Sequence, residues 1–552
     1  MKKNVMLGII LVTLLSNMTL MFNVQPVKAS GTIYIRADGS IDPPTANITS
    51  ADNVTYYFTD NNYDEIVVKR SNIIIDGDGN TVQGSGSGYG FNLTSITNVT
   101  VQNTNIKNFD DGIWLDHSSN NDIVRNNVTA NNNYGISLDH SSNNNVLENN
   151  IANTGYELWD IGYGIWLESS SNNTISGNNV TRGDYGIWLY WSSNNVLRDN
   201  AMVGNRYNFH VCGGVLSYFA NDVDSSNTVD GKPVYYWINV QDATIPLDAG
   251  YVALINCTNI RVQGLNLTNN VQGILLAQTT SSKIAQNRIA TNKWNGIWLG
   301  YSSNKNSIFG NDITYNEDGI ELYESSNNNI LGNNITANGV GILIKYASHN
   351  SVSGNNIKNN GGGISLDGSS NNSISRNEIT NNDRGGICLV NSFNNIVSEN
   401  NIAKNGGGLG LALTEPGKNS IYHNNFLNNT EQAYFGYIFH FEQPITSLNF
   451  WDDGYPSGGN YWSDYNGTDS YSGAYQNETG SDSIGDTPYI IDTDNRDNYP
   501  LMSLWTPPEH EVVATITAPP FMRLGDSISL EAIVTNEGLN DEANVELELL
   551  IN

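Results

Sequence analysis

Tryptophan and a carboxylate recur together along this chain. Trp114 precedes Asp116 by two residues, Trp166 precedes Glu168, and Ser137 precedes Asp139, each in a Gly-Ile-x-Leu-acid setting. Trp188 and Tyr190 repeat the pattern without the acid, and Trp298 and Tyr323 hold related places further on. Pyranose faces stack on aromatic rings and carboxylates accept hydrogen bonds from sugar hydroxyls, so this combination is the chemistry of a glycan-binding groove. Trp159 lies in a coil longer than its neighbours, Tyr156-Glu157-Leu158-Trp159-Asp160, and would wall such a groove. The competing reading is that Trp is a favoured strand residue packing under loops. Asp116, Asp139 and Glu168 are also candidates for general acid/base glycoside hydrolysis, which needs two carboxylates several ångströms apart. Their recurrence with the repeat argues for solvated turn residues instead, and no motif places a Lys or Arg for lyase chemistry.

Metal chemistry has two candidate places. His117 and His140 occupy equivalent positions in successive coils, so two imidazoles could share a transition metal, but the next coil has Ser169 there. Near the end of the chain, Asp464, Asp482 and Asp486 lie among a dense set of acids that could coordinate Ca²⁺ through oxygen. The three cysteines, Cys212, Cys257 and Cys388, are too few and scattered for a disulfide framework.

These residues must be positioned by a repeat. The tetrad begins at Gly112, Gly135, Gly164 and Gly186, resumes at Gly273, Gly296, Gly319, Gly341, Gly363 and Gly386, and fades at Gly408. In phase with it runs an Asn two residues before an apolar one, as in Asn126/Val128, Asn149/Ile151 and Asn178/Val180, and a third apolar station at Ile123, Val146 and Ile175. Three apolar stations per roughly 22 residues, separated by Asn, Ser and Gly, describe three short strands and three turns, hence a solenoid. Leucine-rich repeats share the period but place Leu at several fixed stations and one strand per repeat. The fold class expected is all-β, a right-handed parallel β-helix of about a dozen coils. Asn at each bend would tolerate left-handed backbone and hydrogen-bond its counterpart in the next coil.

Only 14% of residues are charged, yet Asp and Glu number 55 against 25 Lys and Arg, a formal net charge of −30. Such a field repels nucleic acid and anionic lipid. Lys2 and Lys3, the apolar run Val5 to Phe22 and Val27-Lys28-Ala29 read as a secretion signal over 1–29, with an uncleaved anchor as the alternative. No later segment could span a membrane. Residues 30–111 read as a cap and early coils, 112–448 as the repeats with an excursion near 212–254, and 449–505 as an Asp- and aromatic-rich cap. Residues 509–552 carry longer alternating strands, at Ser527 to Val534 and Val545 to Ile551, that open a β-sandwich too short to finish here.

The Gly-Ile-x-Leu and Asn-x-Ile coils, with Asp230-Gly231-Lys232-Pro233-Val234-Tyr235-Tyr236 and Ala249-Gly250-Tyr251-Val252, resemble the NosD-like β-helix family. The tail Gly459-Asn460-Tyr461-Trp462-Ser463-Asp464-Tyr465 is similar to that of many exported surface proteins with this helix. The resemblance implies a pectin-lyase-like fold and carries a copper-binding or carbohydrate-binding label, of which these residues give copper little support. Gly525-Asp526-Ser527 and Val534-Thr535-Asn536-Glu537-Gly538 resemble the start of a CARDB-type, Ig-like adhesion module. The leading expectation is a secreted or cell-surface protein that binds extracellular or cell-wall glycans without cleaving them and requires no cofactor. An extracellular polysaccharide hydrolase or lyase is the runner-up, and a NosD-like copper-handling protein the third.

Overall fold

The computed structural model describes residues 31–155, 161–412, 418–435, 448–507, 512–517 and 531–536. The expected secretion signal 1–29, Trp159 and the strand expected at Val545 to Ile551 lie outside the described residues. The chain divides into two compact units, Met1–Arg206 with Val211–Gly213, and Tyr207–His210 with Gly214–Asn552.

In the first unit three columns of short strands stack in parallel. The first face is built from Tyr89–Thr94, Asp111–Asp116, Tyr134–Asp139, Tyr163–Glu168 and Tyr185–Tyr190, each paired in register with the next. The second runs through Asp122–Val124, Asn145–Leu147, Thr174–Ser176 and Val196–Arg198, and the third through Asn127–Thr129, Asn150–Ala152, Asn179–Thr181 and Ala201–Val203. Register puts like residues above one another, so Val128, Ile151 and Val180 form one interior column and Ile123, Val146 and Ile175 another, all fully buried. Each such aliphatic side chain contributes on the order of 1.5–3 kcal/mol by leaving water, so the coils hold without disulfides; all three cysteines are free.

Among the described residues the parallel coils number about 17, more than the dozen expected. The surplus lies partly in early coils that lack the tetrad but pair in the same way. Ile66–Val68 sits between Ile33–Ile35 and Tyr89–Thr94, and Ile73–Asp76 pairs with Val99–Gln102. At the N-terminal edge Ile41–Asp42 and Ile48–Thr49 fold back antiparallel and cover the first strands, which blunts an edge that would otherwise template aggregation.

The Asn ladder forms, with one correction. Asn126 Nδ2 donates to Asn149 Oδ1 (3.1 Å), Asn149 to Asn178 (3.0 Å) and Asn178 to Asn200 (2.9 Å), and each Oδ1 also accepts the preceding coil's Asn backbone N–H. These Asn are buried, and they are not the left-handed residues. At this bend the positive φ falls on the residue before, at Arg125, Glu148, Gly177 and Asp199, while at another bend of the same coils Asn120, Asn143, Asn172 and Asn194 are left-handed as expected. Turning and bridging are thus divided between neighbours.

In the second unit the first face comprises Lys232–Ile238, Tyr251–Ile255, Ile274–Ala277, Asn295–Gly300, Asp318–Tyr323, Val340–Lys345, Gly362–Asp367, Ile387–Val390 and Leu409–Ala412, in parallel order. The excursion after Gly214 therefore returns to the stack at Lys232–Ile238. Beyond the last coil, Tyr461–Trp462 pairs in parallel with Asn425–Leu427. Trp462 stacks on Phe426 at 4.4 Å and Tyr489 on Trp462 at 4.2 Å, so aromatic rings close the aliphatic core. The ladder ends in an acid: Asn424 donates to Asn460, and Asp497 Oδ2 accepts the Asn460 backbone N–H (2.7 Å) and the Trp462 indole N–H (2.9 Å). Further on, Val512–Thr517 and Glu531–Asn536 pair antiparallel. Among the described residues no helix is long and apolar enough to cross a membrane.

Candidate functional site

The tetrad's glycine decides what the first face of the first unit shows to solvent. A Cβ on Gly112 would stand 2.3 Å from Val128 Cγ1 and 2.5 Å from the Gly135 carbonyl, so this position faces the core. Ile113 also faces the core. Two consecutive inward residues break the alternation of a strand, and the residue before Gly points outward along with x and the acid.

Three outward columns result. Register aligns Tyr89, Asp111, Tyr134, Tyr163 and Tyr185 in one, Asn92, Trp114, Ser137, Trp166 and Trp188 in the next, and Thr94, Asp116, Asp139, Glu168 and Tyr190 in the third. Tyr134 stacks on Tyr163 at 5.4 Å and Tyr163 on Tyr185 at 4.7 Å. Trp166 stacks on Trp188 at 5.6 Å and on Tyr190 at 6.0 Å, while Tyr163 meets Trp166 edge-on at 4.6 Å. Trp114 leans on Tyr89 at 5.6 Å. The rings form one half-buried platform. Trp188, at 5% exposure, is its floor rather than its surface. Burial, with Tyr185 beside it, pushes the Tyr163 phenol up, so this ring stays a neutral donor.

The acids differ in their partners. His117 Nδ1 lies 2.5 Å from Asp116 Oδ1 and His140 Nδ1 2.6 Å from Asp139 Oδ1. Glu168 forms no hydrogen bond or ion pair through its carboxylate among the described residues. The two imidazoles stack in parallel, 5.0 Å apart with 7° between planes. An ion bridging them would need each nitrogen at about 2.0–2.1 Å, which parallel rings at this separation do not provide. The pair as arranged does not fit a shared copper or zinc ion, and no group of three or more His, Cys, Asp or Glu converges as a metal site among the described residues.

Asp111 is the residue that sequence reasoning missed here. It stands in the tyrosine column, 5% exposed, and its Oδ1 has no hydrogen-bond partner. Burial, with Asp110 adding to it, pushes its carboxyl up to about 7 against the Tyr134 backbone N–H. The tyrosines were legible as Tyr-Gly-Ile at 134, 163 and 185, a signal hidden by the assumption of strict alternation.

The second unit holds a different arrangement. Trp298 stacks on Phe219 at 5.9 Å, and its ring crosses Gly300, where a Cβ would stand 2.2 Å from Cη2. Tyr323 meets Tyr346 edge-on at 6.0 Å. Beside them Glu321 accepts from Asn295 Nδ2 (2.8 Å) and Lys345 Nζ (3.3 Å), and Asn295 Nδ2 also lies 3.5 Å from Asp318 Oδ2. Burial first, then the neighbouring Glu321, pushes the Asp318 carboxyl up to about 7, with Lys345 opposing. A lysine beside paired acids was not expected from the motifs.

The tail acids do not meet. Asp464 accepts from the Tyr489 hydroxyl, Asp482 from Gln476 Nε2 and the Ile484 N–H, and Asp486 from the Ser470 and Tyr471 N–H groups and Thr468 Oγ1. Asp482 closes its own turn, while Asp464 and Asp486 tie together segments of the tail that are distant in sequence.

A family model described as right handed beta helix region matches residues 15–161, 45–205, 239–335 and 272–430. Among solved structures, the chain is similar to the A-module of mannuronan C-5 epimerase AlgE6 from Azotobacter vinelandii, at 15% identity over 70% of this chain and 90% of that one, TM-score 0.26. It is also similar to the periplasmic alginate epimerase AlgG, at 13% identity over 74% and 84% of the two chains, TM-score 0.25. The Dettilon tailspike protein is similar at 15% identity over 68% and 62%, TM-score 0.20. No curated protein matches the sequence.

Proposed function

The chain belongs to the right-handed β-helix family, and on that premise we propose that it is an exported glycan-binding protein whose sugar platform is the first face of its first unit. The observation that carries this is the continuous stacking of Tyr134, Tyr163 and Tyr185 beside Trp166 and Trp188, flanked by the Asp116–Asp139–Glu168 column. Tyr134, Tyr163 and Trp166 stay half-open to solvent over a buried floor of Tyr185 and Trp188, and the adjacent acids take hydrogen bonds, the pairing a carbohydrate chain requires. The leader at 1–29 and the resemblance to exported surface proteins support secretion or surface display. A glycan array followed by calorimetry tests the reading: retention of at least one oligosaccharide without its cleavage is expected. Failure to retain any glycan would sink it.

Hydrolysis is the second reading, and Asp318 with Glu321 is what favours it. A carboxyl raised to about 7 next to an acid ion-paired to Lys345 is the acid/base division that glycoside hydrolysis uses. Release of reducing ends by the purified protein, abolished in Asp318→Asn, would promote this reading over binding alone.

A further inference from the structure

The charge of the platform selects among glycans, an inference that rests on the glycan-binding reading above. The strands Tyr89–Thr94, Asp111–Asp116, Tyr134–Asp139, Tyr163–Glu168 and Tyr185–Tyr190 contain four acids and no Lys or Arg. Three of the acids, Asp116, Asp139 and Glu168, are in register in consecutive coils. Like charges directly opposite one another weaken a sheet. The histidines beside Asp116 and Asp139 relieve part of this, and Glu168 has no such neighbour. Independently of the column, Asp111 stands among the tyrosines, nearly fully buried, with one carboxylate oxygen lacking any partner.

Acids alone would draw any cation, and the rings narrow the choice. Aromatic faces accept both sugar C–H groups and an ammonium placed over the ring. Coils rise by about 4.8 Å, close to the length of one pyranose unit, so a sugar chain lying along the stack meets one carboxylate per residue. A polyuronate in the same position would set carboxylate against carboxylate. We propose that the platform binds a glycan whose sugars carry free amino groups, with consecutive ammonium groups paired to Asp116, Asp139 and Glu168 beside the stacked rings of Trp166 and Tyr190.

The test compares four probes on the full chain at a pH below the amine's pKa: glucosamine hexamer, its fully N-acetylated counterpart, oligogalacturonate and oligolysine. The amino hexamer is expected to bind about five- to tenfold more tightly than the acetylated one, as three partly exposed ion pairs of about 0.3–0.5 kcal/mol each dictate. That ratio should shrink with added salt, and should fall toward unity in Glu168→Gln combined with Asp139→Asn. A near-ultraviolet circular dichroism spectrum and a melting temperature of this variant matching the parent's show that the stacked rings are intact. Equal affinity for both hexamers, or preference for oligogalacturonate, overturns the proposal and leaves the glycan reading standing. Tighter binding of oligolysine than of the amino hexamer overturns it in favour of a cationic peptide. Absence of binding to every saccharide overturns the glycan reading itself.

Discussion

Two tryptophans in the same tetrad position are set apart by what lies against them. Trp166 stacks on Trp188 and Tyr190 at the half-buried surface of the platform, whereas Trp298 stacks on the buried Phe219 and folds across Gly300. Removing a ring that a ligand stacks on costs binding; removing one that packs a turn costs folding. Trp166→Ala is therefore expected to weaken glycan binding by about 1–2 kcal/mol, a five- to thirtyfold rise in Kd, and to lower the unfolding transition as well, since the ring also packs on Tyr163, Trp188 and Tyr190. Trp298→Ala is expected to lower stability by about 2 kcal/mol or more and to leave that Kd within about twofold. Calorimetric titration paired with thermal melts separates the two, and identical profiles for both variants would refute the assignment.

The turn that joins two strands of one coil is held by a single buried amide. Asn333 is held from both sides: it receives the Asn311 N–H and side-chain amide, and donates to Ile308 O and Asn355 Oδ1. Asn333→Ala would leave buried donors and acceptors in two neighbouring coils unpaired, at about 1–3 kcal/mol for each such group. A drop of several kcal/mol in urea unfolding is expected, and a loss under about 1 kcal/mol would show that the ladder is ornamental to stability. Asn333→Asp is expected to be no better, since it loses both side-chain donations. At this scale most of the fold was legible. The Asn and Ile spacing marks the bends and inward columns because a repeat stacked in register must put like on like. The left-handed residue was misplaced because bend-forming and bridging are both Asn chemistry, and a chain this rich in Asn does not say which neighbour does which. The outward tyrosines escaped for a different reason. Gly112 and Ile113 both face inward, and a rule of period two cannot express that. The Asp318–Glu321–Lys345 group draws on two coils, so no local motif announces it.

For the molecule as a whole, the formal charge of −30 and the few buried acids act in the same direction with pH. Asp111, Asp318 and Asp497 are each pushed up to about 7, chiefly by burial. An acid whose folded value lies above its unfolded value, near 3.9, takes up a proton on folding. Its contribution to stability is complete below about pH 4 and is lost as pH rises through about 7. Diffuse self-repulsion also grows over this interval, so the melting temperature should fall between pH 5 and pH 8. One substitution distinguishes the two causes. Asp497 is fully buried where the Asn ladder ends, and it accepts from the Asn460 and Tyr499 N–H groups and the Trp462 indole. Asn has the same shape and cannot ionise, but with its oxygen at the Oδ2 place its amide nitrogen faces the Tyr499 N–H, a loss that does not change with pH. Asp497→Asn is expected to melt below the parent near pH 4 by that fixed loss and to show a shallower decline toward pH 8. Because it changes the formal charge by only one in thirty, self-repulsion alone predicts parallel curves. A gap below the parent that widens from pH 4 to pH 8 would mean that the three donors hold this carboxylate ionised, and that the cap is an anion site closing the ladder rather than a proton held in the core.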